Sequence, residues 1–388
     1  MERRRSLRGW AAIVIAMAVP VFTGCSGFFP PVNGGGGGTP GTTGNTVYIA
    51  NQAANSIGAF AIGTGTLTAV PNSPVATSYK PLTLVVNPAN TLLYVGALNG
   101  IFVYFINGDG SLTTPSTGSQ PAGVFATSLA VSPDGQWLVA LDGTTQQLDI
   151  FQINPSTGGL TSLPAPATAT ATYSTTSGTW QPTLVRFSTD GTLIFAALGT
   201  AGDVVFTFNT TAGAAVSTQT LSTGNVATGD YGLMADPKTT YLYIARSGTN
   251  GGVAVYSIGS NGSLTPVTGS PFAAGQGTYA IQLDTTGAYV YAANRTDGTI
   301  SGYTITPGTT TAALTLKPLS GSPYASGSIA QSLGIDSTNK YFLAAAIGGS
   351  PDLTMYSFDI TVPGKLIPAT SVATGVDPAG PVALALTH

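Results

Sequence analysis

Beyond residue 24 the chain keeps only three arginines, Arg186, Arg246 and Arg295, among fourteen Asp, no Glu and one His, the final residue His388. A guanidinium offers a planar fork of donors that matches carboxylate and phosphate oxygens, so these three are the first candidates for an anion site. Lys80, Tyr279, Asn294 and Asp297 complete the candidate ligand-binding set through their places in the repeat described below. The acid–base repertoire is poorer. A Ser-His-Asp arrangement would need His388 to fold back into the site, which a terminal residue is ill placed to do. A hydrolase would otherwise take Asp203, Asp230, Asp297 or Asp352 as base and an arginine as electrophile; no motif assigns those roles, so the catalytic residues stay open. The sequence has no Asp-x-Asp-x-Asp-Gly loop, no paired His and no Cys cluster, so neither a metal nor a cofactor is expected.

What positions these residues is a repeat. Segments of the type Val47-Tyr48-Ile49-Ala50 recur around Tyr48, Tyr94, Leu138, Ile194, Tyr243, Tyr291 and Phe342, at spacings of 46, 44, 56, 49, 48 and 51 residues. That period is the signature of propeller blades. Charged residues are 7% of the chain against 43% hydrophobic, with 51 Gly and 26 Pro, a composition that suits many short strands joined by tight turns. Residues 46–388 are therefore expected to form one all-β domain, a seven-bladed β-propeller of four-stranded blades.

Each unit divides into strands A to D. Strand A has two apolar columns, Leu84, Leu129, Val185, Leu233, Ile281 and Leu333, and Val86, Val131, Phe187, Ala235, Leu283 and Ile335, alternating as in a strand packed between sheets. Between them runs a third column, Val85, Ala130, Arg186, Met234, Gln282, Gly334 and Ala385, in which Arg186 is the one charge. It faces a ligand in the channel or is a structural arginine with its own partner. Asp236, Asp284 and Asp336 end strand A where Ser132 and Ser188 stand in other units, which predicts a turn rather than a metal ring. The first unit starts at strand B, and Pro381–Thr387 fits the frame of Pro81–Asn87, so the C-terminal strand is expected to complete the N-terminal blade and close the ring. With strand A running down from an upper face, the B–C loops and D–A junctions meet at the upper mouth of the channel. Lys80, Tyr279, Asn294, Arg295 and Asp297 fall there. The third unit carries extra residues, Pro164 to Thr179, expected as a loop at one face.

The N-terminus is an address. Arg3, Arg4, Arg5 and Arg8 precede an apolar run from Trp10 to Phe22, so residues 1–24 are expected to be a signal peptide. Phe22-Thr23-Gly24-Cys25 resembles a bacterial lipobox, with Phe22 in place of the usual small aliphatic residue; it predicts lipidation of Cys25, the only Cys. Residues 25–45, with Gly34 to Gly38 in a row, follow as a lipid-bearing Cys and Gly-rich linker. The expected location is the cell envelope, on its periplasmic or surface side, with the membrane a partner through the anchor. Eight basic against fourteen acidic residues beyond position 24 give a net charge of −6, which disfavours nucleic acid.

The Tyr-Val-rich units, the Ser132-Pro133-Asp134-Gly135 turn and strand openings such as Gly110-Ser111-Leu112-Thr113 and Gly262-Ser263-Leu264-Thr265 resemble the bacterial YVTN or lactonase-like seven-bladed propellers, related to 6-phosphogluconolactonase. The resemblance covers about residues 46 to 388 and implies the fold and, for part of the family, opening of a sugar lactone. The family's acid–base residues find no counterpart here. Two functions therefore stay open: a binding or protein-interaction module for an anionic small molecule, a lactone or a protein partner, and a lactone hydrolase with its site at the upper mouth. A quinone-dependent dehydrogenase propeller is disfavoured, since only Trp137 and Trp180 stand beyond the signal.

Overall fold

Strand B of blade one pairs with strands A and C along its edges while the adjacent blades cover its two faces, Tyr48 and Ala50 packing with blade two and Val47 and Ile49 with blade seven; all four have no exposed surface. The computed structural model describes residues 45–115, 123–162, 170–175, 178–348, 351–374 and 383–388, all within the unit Thr39–His388. The signal, Cys25 and most of the linker lie outside the described residues, as do Asp377, Pro381 and Val382.

Seven antiparallel sheets follow one another, each ordered A-B-C-D outward from a central channel. The fourth and fifth are joined through one pair, Gly199 with Asp230. Strand A is Leu384–Leu386 in blade one, then Thr83–Val86, Ala126–Val131, Trp180–Phe187, Thr228–Ala235, Thr278–Leu283 and Ile329–Ile335. Blade one is completed by the C-terminal segment as expected: Val47, Tyr48 and Ile49 pair with Leu386, Ala385 and Leu384. The backbone bond from Thr387 N to Thr46 O, 3.0 Å, extends that ladder. Gly334 makes room for the closing strand, because a Cβ there would lie 2.4 Å from the Leu386 side chain.

Neighbouring blades are latched by the aromatic that opens or centres strand B. The hydroxyls of Tyr48, Tyr94 and Tyr291 donate to the carbonyls of Gly110, Gly158 and Gly364 in the C–D turn of the next blade, at 2.8, 3.0 and 2.6 Å. Trp137 Nε1 donates likewise to Thr210 O, and Gly65 N donates to Tyr341 Oη across the junction of the last and first blades. Each such bond satisfies a polar tip that would otherwise be buried unpaired, so the repeated aromatic is both core and fastener.

The Asp column is a turn device. Asp236 Oδ1 accepts from Thr240 N and Tyr241 N, and Asp336 Oδ1 from Lys340 N and Tyr341 N, all within 2.8 Å. Asp284 Oδ1 accepts from Tyr289 N, and Ser132 and Ser188 take the equivalent bond from Trp137 N and Leu193 N. The long third unit departs from a plain loop. Thr170–Thr172 pairs with Gln147–Asp149 as a second outer strand of blade three, and Tyr173 beside it is buried. Residues 163–169 and 176–177 of that segment lie outside the described residues.

Candidate functional site

Strand A carries an extra residue near its upper end in several blades. The ladder slips between Asp230 and Gly232 in blade five and between Thr278 and Ala280 in blade six, leaving Tyr231 and Tyr279 as bulged residues. A bulge re-aims the side chain it releases. Here it turns both tyrosines onto each other: their rings stack at 5.1 Å between centroids, 26° apart in plane, and both are half-buried. Gly232 permits this approach, since a Cβ on it would lie 2.7 Å from Tyr279 O. Arg295, from the B–C loop of blade six, lies over the Tyr279 ring with its guanidinium carbon 4.7 Å from the centroid.

Behind this stack lies a buried charge cluster. Arg246 Nε and Nη2 bond Asp230 Oδ1 and Oδ2 at 2.7 and 2.6 Å, a bidentate pair, and Nη2 also donates to Tyr256 Oη at 3.2 Å. Asp230 has no exposed surface. Asp203, at the start of strand C in blade four (Asp203–Asn209), is 1% exposed, and neither of its oxygens has a hydrogen-bond partner. Burial first, and the negative charge of Asp230 second, hold its carboxyl well above the usual carboxylate range. The cluster therefore sets an ion pair beside a carboxyl whose ionisation is disfavoured. Arg246 borders a cleft of about 430 Å³ at the upper face, whose other walls include Gly248, Gly275, Gln276, Thr278 and Thr296.

The candidate residues do not form one site. Tyr279 and Arg295 are in contact, and Asp297 and Asn294 stand beside them, but both of the latter hold the D–A junction: Asp297 Oδ2 accepts from Gln276 N at 2.6 Å and Asn294 Oδ1 from Gly275 N at 3.1 Å. Asn294 Nδ2 is bonded to Thr299 and Ser301, so its side chain is structural. Arg246 is taken by Asp230. Lys80 is exposed and lines neither this cleft nor the channel. Arg186 is elsewhere altogether, because it stands near the lower end of its strand, two residues before the Ser188 turn. It lines a separate cavity of about 710 Å³ that runs down the channel to the A–B turns and to His388. The three arginines thus stand in three environments and share no single pocket: one paired, one on an aromatic face and one in the channel. Of the four aspartates considered as bases, Asp203 is buried without a hydrogen-bond donor and Asp230 is paired, while Asp352 Oδ2 accepts from Thr374 N at 3.2 Å and Asp297 holds its junction. His388 lies at the lower end, on the face opposite the mouth.

The comparisons bear on the same region. Residues 199–376 match the lactonase seven-bladed β-propeller family. That stretch holds Asp203, Asp230, Tyr231, Arg246, Tyr279 and Arg295, every residue of the stack and the cluster. The fold is that of a candidate 6-phosphogluconolactonase from Bacteroides uniformis, at TM-score 0.71 and 19% identity over 88% of this chain and 99% of that one. The periplasmic gluconolactonase of Pseudomonas aeruginosa is similar at TM-score 0.66 and 16% identity, over 89% and 99% of the two chains. A protein from Lactobacillus plantarum aligns at TM-score 0.70 and 18% identity over the same shares. No curated protein matches the sequence.

Proposed function

We propose that the whole chain is a lactonase-type propeller working as a binding module, which takes a sugar acid or its lactone at the upper mouth of blades five and six. The observation that carries this is the Tyr231–Tyr279 stack with Arg295 across it. A half-exposed aromatic face flanked by a guanidinium suits a ring that bears an acid group. The deeper arginine, Arg246, is bonded on two of its three nitrogens to Asp230, which offsets its charge and weakens it as an electrophile, and this favours binding over hydrolysis. The gluconolactonase of similar fold suggests gluconate and its lactone as probes.

The test is calorimetric titration of the full chain with gluconate, 6-phosphogluconate and gluconolactone, beside an assay of 6-phosphogluconolactone opening. Saturable binding that Tyr279→Ala and Arg295→Ala weaken about tenfold, or ~1.4 kcal/mol, is expected, with hydrolysis no faster than the spontaneous rate. Enzymatic turnover would replace the binding module by the second reading, a lactone hydrolase. That reading draws on the family match over residues 199–376 and would use Asp297, the exposed carboxylate of the four, as base. If none of the probes binds, both readings fail.

We further propose that the protein is exported and held at the cell envelope by a lipid on Cys25, the membrane being its partner through that anchor. The charged start, the apolar run and the lone Cys support this. Growth with a labelled fatty acid should label the wild type and not Cys25→Ser, which should leave the membrane fraction; label retained on Cys25→Ser rejects the anchor.

A further inference from the structure

The channel cavity holds a cation, Arg186, with no ion-pair partner within 4 Å among the described residues, although Asp284, Asp336 and the terminal residue His388 line the same cavity lower down. Its wall is the third column of strand A, in which the neighbours of Arg186 are Val85, Ala130, Met234, Gln282 and Gly334. Arg186 Nε is shielded from solvent and has no hydrogen-bond partner, and neither ion pair among the described residues includes it. The acids at the lower rim are engaged by turns: Asp284 Oδ1 accepts from Tyr289 N and Asp336 Oδ1 from Lys340 N and Tyr341 N. Gln282 Nε2, across the ring, donates to Leu283 O at 2.8 Å, so Arg186 is the free donor of the ring. Burial lowers the proton affinity of its guanidinium from the ordinary arginine value, yet an arginine starts high enough to stay charged.

An uncompensated guanidinium in an apolar wall costs stability unless an anion answers it. A structural arginine would have found a carboxylate or carbonyl; this one has found neither. We infer that the channel is a second ligand site, separate from the upper mouth, which binds a monoanionic organic acid with its carboxylate on Arg186 and an apolar body along the Val85, Ala130 and Met234 wall. A volume of about 710 Å³ falls in the range of cavities that hold small organic ligands. The two-nitrogen fork selects a carboxylate, and the apolar wall selects against small hydrated anions such as phosphate.

Phenylbutyrate, which joins an apolar ring and chain to a carboxylate, is the probe. Titrated into the full chain, it should bind at one site, and gluconate in excess should not displace it. Arg186→Met should weaken binding tenfold or more while raising the melting temperature of the ligand-free protein, because the substitution removes an unpaired charge from the channel wall and keeps an unbranched apolar stem. Val85→Phe, which narrows the channel and leaves Arg186 in place, should also lose the ligand. The inference is overturned if phenylbutanol binds as tightly as phenylbutyrate, if inorganic phosphate binds in its stead, or if Arg186→Met melts lower than wild type and binds the probe unchanged. Displacement by gluconate would likewise reject a separate site.

Discussion

Removal of residues 383–388 abolishes the cooperative melting of the propeller. Leu384, Ala385 and Leu386 form the whole of strand A in blade one, and they pack against both neighbouring blades. Leu384 is 5% exposed and sits in the cluster formed with Leu343, Leu353 and Met355 of blade seven; Ala385 faces blade two. Losing a buried leucine such as Leu384 costs about 2–5 kcal/mol, and the partly buried Leu386 adds to it, against the ~5–15 kcal/mol that holds a domain together. Strand B of blade one would also lose three paired residues and the bond from Ala50 N to Ala383 O, 2.8 Å, leaving an apolar edge open to association. Calorimetry of the truncated chain should show no sharp transition near that of the wild type. An unchanged melt means that the ring does not depend on this strand.

The second large effect belongs to the charge cluster, and its sign depends on which member is changed. Arg246→Ala leaves the Asp230 carboxyl buried and unpaired, and should cost about 3–5 kcal/mol. Asp230→Asn in the same chain should recover part of the loss, since no buried charge would then remain. Asp203 behaves in the opposite way. Its native carboxyl titrates above the ~3.9 of an unfolded Asp, so its contribution is fully present below about pH 4 and is lost as pH rises through the native value. Asp203→Asn, which resembles the protonated acid, should therefore leave stability at pH 4 almost unchanged and raise it at pH 8. Asp149 must be kept constant in that comparison, because burial and then Asp142 push its carboxyl to about 6 and it weakens the fold over part of the same range. Urea denaturation at the two pH values measures the difference. Equal destabilisation at both would mean that Asp203 is ionised and bonded in the native state.

The architecture was legible because it is written many times over. Two apolar columns in strand A, a turn-forming Asx or Ser after them and a fragment at Pro381–Thr387 in the frame of Pro81–Asn87 define a closed ring without reference to any single residue. The third column was legible too: its seven residues do line the channel at one level. What the pattern could not supply was the bulge. Counting back from the A–B turn of blade five pairs Ala235 with Leu242 and Gly232 with Ala245, and the next step would set Tyr231 opposite Arg246. One extra residue instead brings Asp230 there and turns Tyr231 toward Tyr279. An inserted residue leaves composition and period unchanged, so neither the ion pair nor the aromatic stack could be read from spacing. Asp203 was not legible as a cluster member for a related reason: strand C of blade four keeps its aromatic, Phe206, in the register of the other units, and nothing in that repeat shows that the carboxyl at its start meets Asp230 of the next blade.

The manner of closure also decides how the domain bears load. Any pull on Asn45 enters at Thr46, which is flanked on one side by Ala61 of strand C and on the other by Thr387 of the closing strand. The first residue of the domain is therefore an interior thread of its sheet, with Thr46 N held by Thr387 Oγ1 at 2.9 Å and Thr46 O accepting from Thr387 N. Drawn along its own axis, such a strand shears its hydrogen bonds together, whereas a strand at an edge peels them one at a time. Force applied at Asn45 is thus shared between the first strand of the ring and the strand that closes it.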